Sequence, residues 1–108
     1  MIYLACPYSH PDPAVRLARF DAANKATAHL METGHIVFSP LSHSHPVEQF
    51  MAEIHDTAWW MRQDLAFMDF CDECVVLTVD GWEASKGVTF EANWFRERSR
   101  PVRMMEPL

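Results

Sequence analysis

Apolar positions along the chain fall into two rhythms. Short, nearly unbroken apolar runs occupy residues 2–6 (IYLAC), 35–38 (HIVF), 73–79 (ECVVLTV) and 101–105 (PVRMM). Between them, apolar residues recur every three or four positions. The unbroken runs predict buried strands, and the spaced stretches predict amphipathic helices. The first helix has a clear start, Asp12 as cap followed by Pro13 at the first helical position. Leu17, Phe20, Ala23, Thr27 and Leu30 mark its inward face, with Arg16, Arg19 and Lys25 mainly elsewhere. Gly34 ends it as a left-handed residue would. The segment LSHSHP reads as a loop leading into a short helical piece around Val47–Ile54, and a longer helix follows over Thr57–Phe70. A DGW turn precedes the last helix, Ser85–Arg98.

The order is therefore β-α-β-(α)-α-β-α-β. Continuous apolar strands separated by amphipathic helices make a parallel sheet covered on both faces. The expected fold is α/β, a flavodoxin-like open sheet of about four strands in the order 2-1-3-4, forming one domain over residues 1–108. Ligands in such folds sit beyond the carboxyl ends of the strands, at the switch point between the first and third. The loops at Pro7–Pro13, Ser39–Pro46 and Asp80–Gly87 meet there.

Composition narrows the classes. Of 108 residues, 49% are hydrophobic, with seven Phe and four Trp, which excludes a disordered chain. No stretch approaches the length of an apolar membrane span, and residues 1–6 lack the basic flank of a signal peptide. The formal net charge of −6 argues against a nucleic-acid polymer as partner, though a small anion can still bind through local dipoles. Three cysteines, an odd number, read as reduced thiols in a cytoplasmic protein.

Two carboxylates lie on inward faces. Asp64 shares its face with Trp60, Phe67 and Cys71, and Glu91 lies among Gly87, Val88, Trp94 and Phe95. Burying a carboxylate costs several kcal/mol, roughly, unless it is paired or hydrogen-bonded. A buried ion pair or helix cap would account for either alone; two converging on one cleft suggest an acid–base or nucleophile pair. The segment Gly81–Gly87 follows a strand and opens a helix, so it presents free N–H groups and the Ser85 hydroxyl to an anion. Gly87 would let a ligand approach the backbone. An ordinary N-terminus capped by Ser85 is the plainer alternative. The segment is neither a Walker loop nor G-x-G-x-x-G, so no cofactor is expected. Cys71-x-x-Cys74 ends a helix and begins a strand, the reverse of a redox pair, and reads as buried small hydrophobes. His43 and His45 sit at the ligand edge, with His10 nearby. They suit substrate contact better than a metal, which needs a forced third ligand, so no metal site is expected. His29, His35 and His55 read as structural, and Trp59-Trp60 as core or subunit interface.

The pattern YLACPYS, then Gln63-Asp64-Leu65, then Cys71-Asp72, then Ser85-Lys-Gly87-Val-Thr-Phe-Glu91 resembles the nucleoside 2-deoxyribosyltransferase-like superfamily over nearly the whole chain. The resemblance is nearest to a small uncharacterised bacterial group and to the nucleotide N-glycoside hydrolases. It implies cleavage of an N-glycosidic bond, with Glu91 as nucleophile, Asp64 assisting and Tyr3 orienting the glutamate. Transferases of the family often carry aspartate six residues before the nucleophile. Ser85 stands there, as in relatives that bind a 5′-phosphate, and Ser9 matches a second phosphate contact. The expected ligand is a nucleoside 5′-monophosphate or related phosphorylated N-riboside, cleaved by water or transferred. A non-catalytic nucleotide or sugar-phosphate binding module is the alternative. A homodimer or higher homo-oligomer is expected from the aromatic content.

Overall fold

In the computed structural model, which describes residues 1–108, the unbroken apolar runs form four strands. They are β1 (Ile2–Ala5), β2 (Val37–Phe38), β3 (Glu73–Leu77) and β4 (Val102–Met105). All pair in parallel, in the order β2-β1-β3-β4. This is the α/β, flavodoxin-like arrangement read from the sequence. The helices are α1 (Pro13–Glu32), α2 (Pro40–Glu48), α3 (Thr57–Met68) and α4 (Lys86–Glu97).

The period of two along the strands divides the core into two layers. Tyr3 and Ala5 of β1, with Cys74 and Val76 of β3, face α3 and α4, where they meet Met68, Val88, Ala92 and Phe95. Ile2 and Leu4, with Val75 and Leu77, face Ala23, Ala26 and Leu30 of α1 and Leu41 of α2. Strands β1 and β3 are buried on both sides, which is why they read as continuous apolar runs. Cys71 and Cys74 are buried free thiols, small hydrophobes as expected. Arg100 closes the end of α3, its Nη1 donating to the carbonyls of Met68 (3.2 Å) and Cys71 (3.1 Å).

Helix α1 begins and ends on the residues that signal it. Asp12 accepts from the Ala14 N–H (2.9 Å). Gly34 has φ +97°, and beyond it the His35 N–H reaches back to the Leu30 carbonyl (3.0 Å). An L side chain at that φ would be strained. The second helix corrects the expectation. Residues 40–48 are helical, where a loop was expected, and the helical piece placed at Val47–Ile54 does not form. Ser39 caps α2 through the Ser42 N–H (3.4 Å) with Pro40 at the first helical position, the same device that starts α1. Leu17, expected inward, is half exposed on α1, and His29 and His35 lie exposed outside the core. Strand β2 is also shorter than expected, Val37–Phe38 alone, with Ile36 exposed although its carbonyl accepts from the Ile2 N–H (2.8 Å).

Candidate active site

Strand β1 and helix α4 place the central pair. Tyr3 lies opposite Phe38 on one side and Cys74 on the other, its ring held between Phe38 (6.0 Å) and Phe95 (5.8 Å). This points its hydroxyl at α4. Glu91 faces the sheet because it shares the inward stripe of α4 with Val88, Ala92 and Phe95. The Tyr3 hydroxyl donates to Glu91 Oε2. Both residues are buried, Glu91 at 6% exposure.

Burial sets the charge state of this pair. It pushes the Glu91 carboxyl up to about 8, opposed by the Tyr3 hydrogen bond and reinforced by the charge of Asp64. Burial likewise pushes Asp64 up to about 6. The Tyr3 phenol is held well above its ordinary value, by burial first and then by the charges of Glu91 and Asp64. Three groups on β1, α3 and α4 therefore share one field. Asp64 acts in it from behind: it is half-buried on α3 and does not line the cleft onto which Glu91 opens.

That cleft has a volume of about 640 Å³ and lies beyond the carboxyl ends of β1 and β3. Ser9, Ser85 and Gly87 line it together with Glu91. Ser85 caps α4, its Oγ accepting from the Val88 N–H (3.2 Å), which leaves the hydroxyl proton free to donate. A smaller pocket of about 220 Å³ adjoins it, sharing Cys6, Tyr8, Ser9 and Thr57 as walls. His45 lines this pocket: its ring stacks on Phe20 (4.2 Å) and its Nδ1 is 2.7 Å from the Tyr8 hydroxyl. His43 lies apart, exposed beside Phe38 and Phe67. His55 stacks on Trp59 (3.8 Å) and borders the smaller pocket with Trp60. Burial pushes the Cys6 thiol up to about 12, so no thiolate nucleophile forms in the cleft. No group of three or more His, Cys, Asp or Glu is placed to hold a metal ion. No helix is long and apolar enough to cross a membrane.

Sequence reasoning passed over Tyr8 and Arg19. Arg19 lines the main cleft, yet in the sequence it is one cation among three on the polar side of α1. Tyr8 sits in the turn-rich PYSHPDP segment, where nothing in the spacing shows which way a ring points.

A family model described as a domain of unknown function, DUF1937, matches residues 1–107. No curated protein matches the sequence. Among solved structures, a 2-deoxyribosyltransferase from the psychrotolerant bacterium Bacillus psychrosaccharolyticus is similar at a TM-score of 0.67 and 22% identity. The alignment covers 98% of this chain and 72% of that one, and it shows a shared fold.

Proposed function

The chain belongs to the family described as domain of unknown function DUF1937, and on that footing we propose that it breaks the N-glycosidic bond of a nucleoside 5′-monophosphate or related phosphorylated N-riboside. The observation that carries this reading is the buried Tyr3–Glu91 pair, opening onto a cleft whose other end is the capped N-terminus of α4. A fold shared with a 2-deoxyribosyltransferase supports it.

In this reading Glu91 attacks C1′ through Oε1, which accepts no hydrogen bond, while Tyr3 holds Oε2. The C1′–N bond breaks, the base leaves with the bond's electron pair, and a glycosyl ester forms on Glu91. Water or a second base then displaces the ester with net retention. Glu91 must lose its proton before attack. Asp64, ionised at lower pH than Glu91, tunes that event by charge and acts as a positioning residue. Ser85, the Gly87 backbone and Ser9 receive the 5′-phosphate at the positive end of α4. The smaller pocket receives the base, offering the Tyr8–His45 pair to its edge and Trp60 to its face.

Incubating the protein with the common nucleoside 5′-monophosphates and their parent nucleosides, and reading free base by chromatography, tests the reading. Base should appear from a monophosphate, and Glu91→Gln should still bind it while releasing almost none. Saturable binding without base from any of them would show a binding module instead. Wild-type turnover by Glu91→Gln would rule out the glutamate mechanism.

A further inference from the structure

At the α4 end of the cleft stands a cation that no carboxylate balances. Arg19, on the second turn of α1, sends Nη1 to the Ser9 carbonyl (3.0 Å) and Nη2 to the Asp80 carbonyl (3.0 Å). The first carbonyl belongs to the loop after β1 and the second to the turn after β3. Neither ion pair of the molecule includes Arg19, and its Nε is buried without a partner. Gly81 passes directly against the guanidinium. A Cβ there would stand 2.7 Å from Nη2, and the residue has φ +90°. Half-buried and bound only to carbonyls, the guanidinium keeps its charge unbalanced at the cleft wall, with Nε held from water. Its planar fork suits the task of bridging two fixed acceptors, which a lysine cannot reproduce.

We infer that Arg19 is a positioning residue, whose guanidinium ties the Ser9 loop to the Asp80–Gly81 turn and so sets the spacing at which the cleft grips a phosphate monoester. The inference rests on the proposed substrate class. Arg19 and Lys86 both line the cleft, and no ion pair neutralises either. The positive field they leave favours an anionic group over a neutral sugar hydroxyl. Gly81 is part of the device, since a side chain there would displace the fork.

Calorimetric titration separates this from general loop support. The probes are inorganic phosphate, the nucleoside 5′-monophosphates and the parent nucleosides, applied to wild type, Arg19→Met, Arg19→Lys and Gly81→Ala. Arg19→Met and Arg19→Lys should each weaken phosphate and monophosphate binding by about tenfold or more, and parent nucleosides by less than about twofold. Gly81→Ala should weaken monophosphates in wild type, both by pushing on Nη2 and by straining a turn at φ +90°. Full affinity in Arg19→Lys or equal losses for nucleosides would overturn the inference, as would a wild type that binds no phosphate probe. If Arg19→Met melts below the assay temperature, Arg19→Lys, with charge and stem retained, decides alone. Wild-type base release with phosphate-indifferent Arg19 variants would sink this inference and spare the glycosidase. Arg19-dependent phosphate binding without base release would do the reverse.

Discussion

Glu91 rests in the protonation state opposite to the one its proposed work requires. Folded, it keeps its proton up to about 8, whereas its ordinary value is 4.5. The folded chain thus binds more protons between those values, so the stability Glu91 contributes is complete below about 4.5 and drains away as pH climbs to about 8. The loss is on the order of 3 kcal/mol by pH 7. Asp64, raised from 3.8 to about 6, adds a loss of the same sign. Glutamine at 91 does not titrate, so the melting temperature of Glu91→Gln should exceed that of wild type by a margin that widens from pH 5 to pH 8. A gap that stays flat across that range would mean Glu91 ionises normally. Activity should follow the opposite slope. Base release, measured as kcat/KM, should rise with pH through about 8 as the carboxylate forms. In Tyr3→Phe the rise should move to higher pH, because the lost hydrogen bond is the influence that lowers Glu91. An unmoved profile in that variant would detach Tyr3 from the nucleophile. The inward position of Glu91 was legible in its spacing from Val88 and Phe95. The hydroxyl that meets it was legible only through the family resemblance, since no local pattern joins residue 3 to residue 91.

The helices show how far local signals reach. Asp12-Pro13 and Ser39-Pro40 are the same start signal, yet only the first reads plainly, because twenty helical residues follow it. After Ser39-Pro40 come two serines, two histidines and Pro46, which compete for turns and hide a nine-residue helix. At α4 the cap and the candidate ligand contact are one atom, the Ser85 hydroxyl. Substitutions there separate the two duties. Ser85→Ala should cost about 1 kcal/mol in thermal or denaturant unfolding and also weaken monophosphate binding. Ser85→Asp should keep the cap, and with it the melting temperature, while its charge repels the phosphate. The panel of phosphorylated and unphosphorylated substrates should then shift toward the nucleosides. Loss of both classes together would place Ser85 in helix stability alone.

At the scale of the molecule, the chain leaves large apolar groups uncovered around the entrance to α3. Phe50 is 84% and Ile54 97% exposed, in the segment that precedes the Trp59–Trp60 pair in the chain. We propose a homodimer or higher homo-oligomer that covers them, and light scattering should read a mass above the 12.5 kDa of one chain. Ile54→Asp should lower that mass, and a monomer reading for wild type at micromolar concentration would refute the assembly. Sheet order was legible because parallel strands joined by right-handed crossovers allow few arrangements. Cleft walls such as Arg19 were not, since they depend on how separate loops meet in space. The same sheet order has a consequence for how the protein is made. Of the four strands β1 is made first but ends in the interior of the sheet, where its longer partner is β3. Until Leu77 has emerged, that apolar segment has only the two-residue β2 to pair with. A nascent chain in this state has its first strand as its chief aggregation hazard. Its sheet can close only once β3 is available to pair with β1 and β4 with β3.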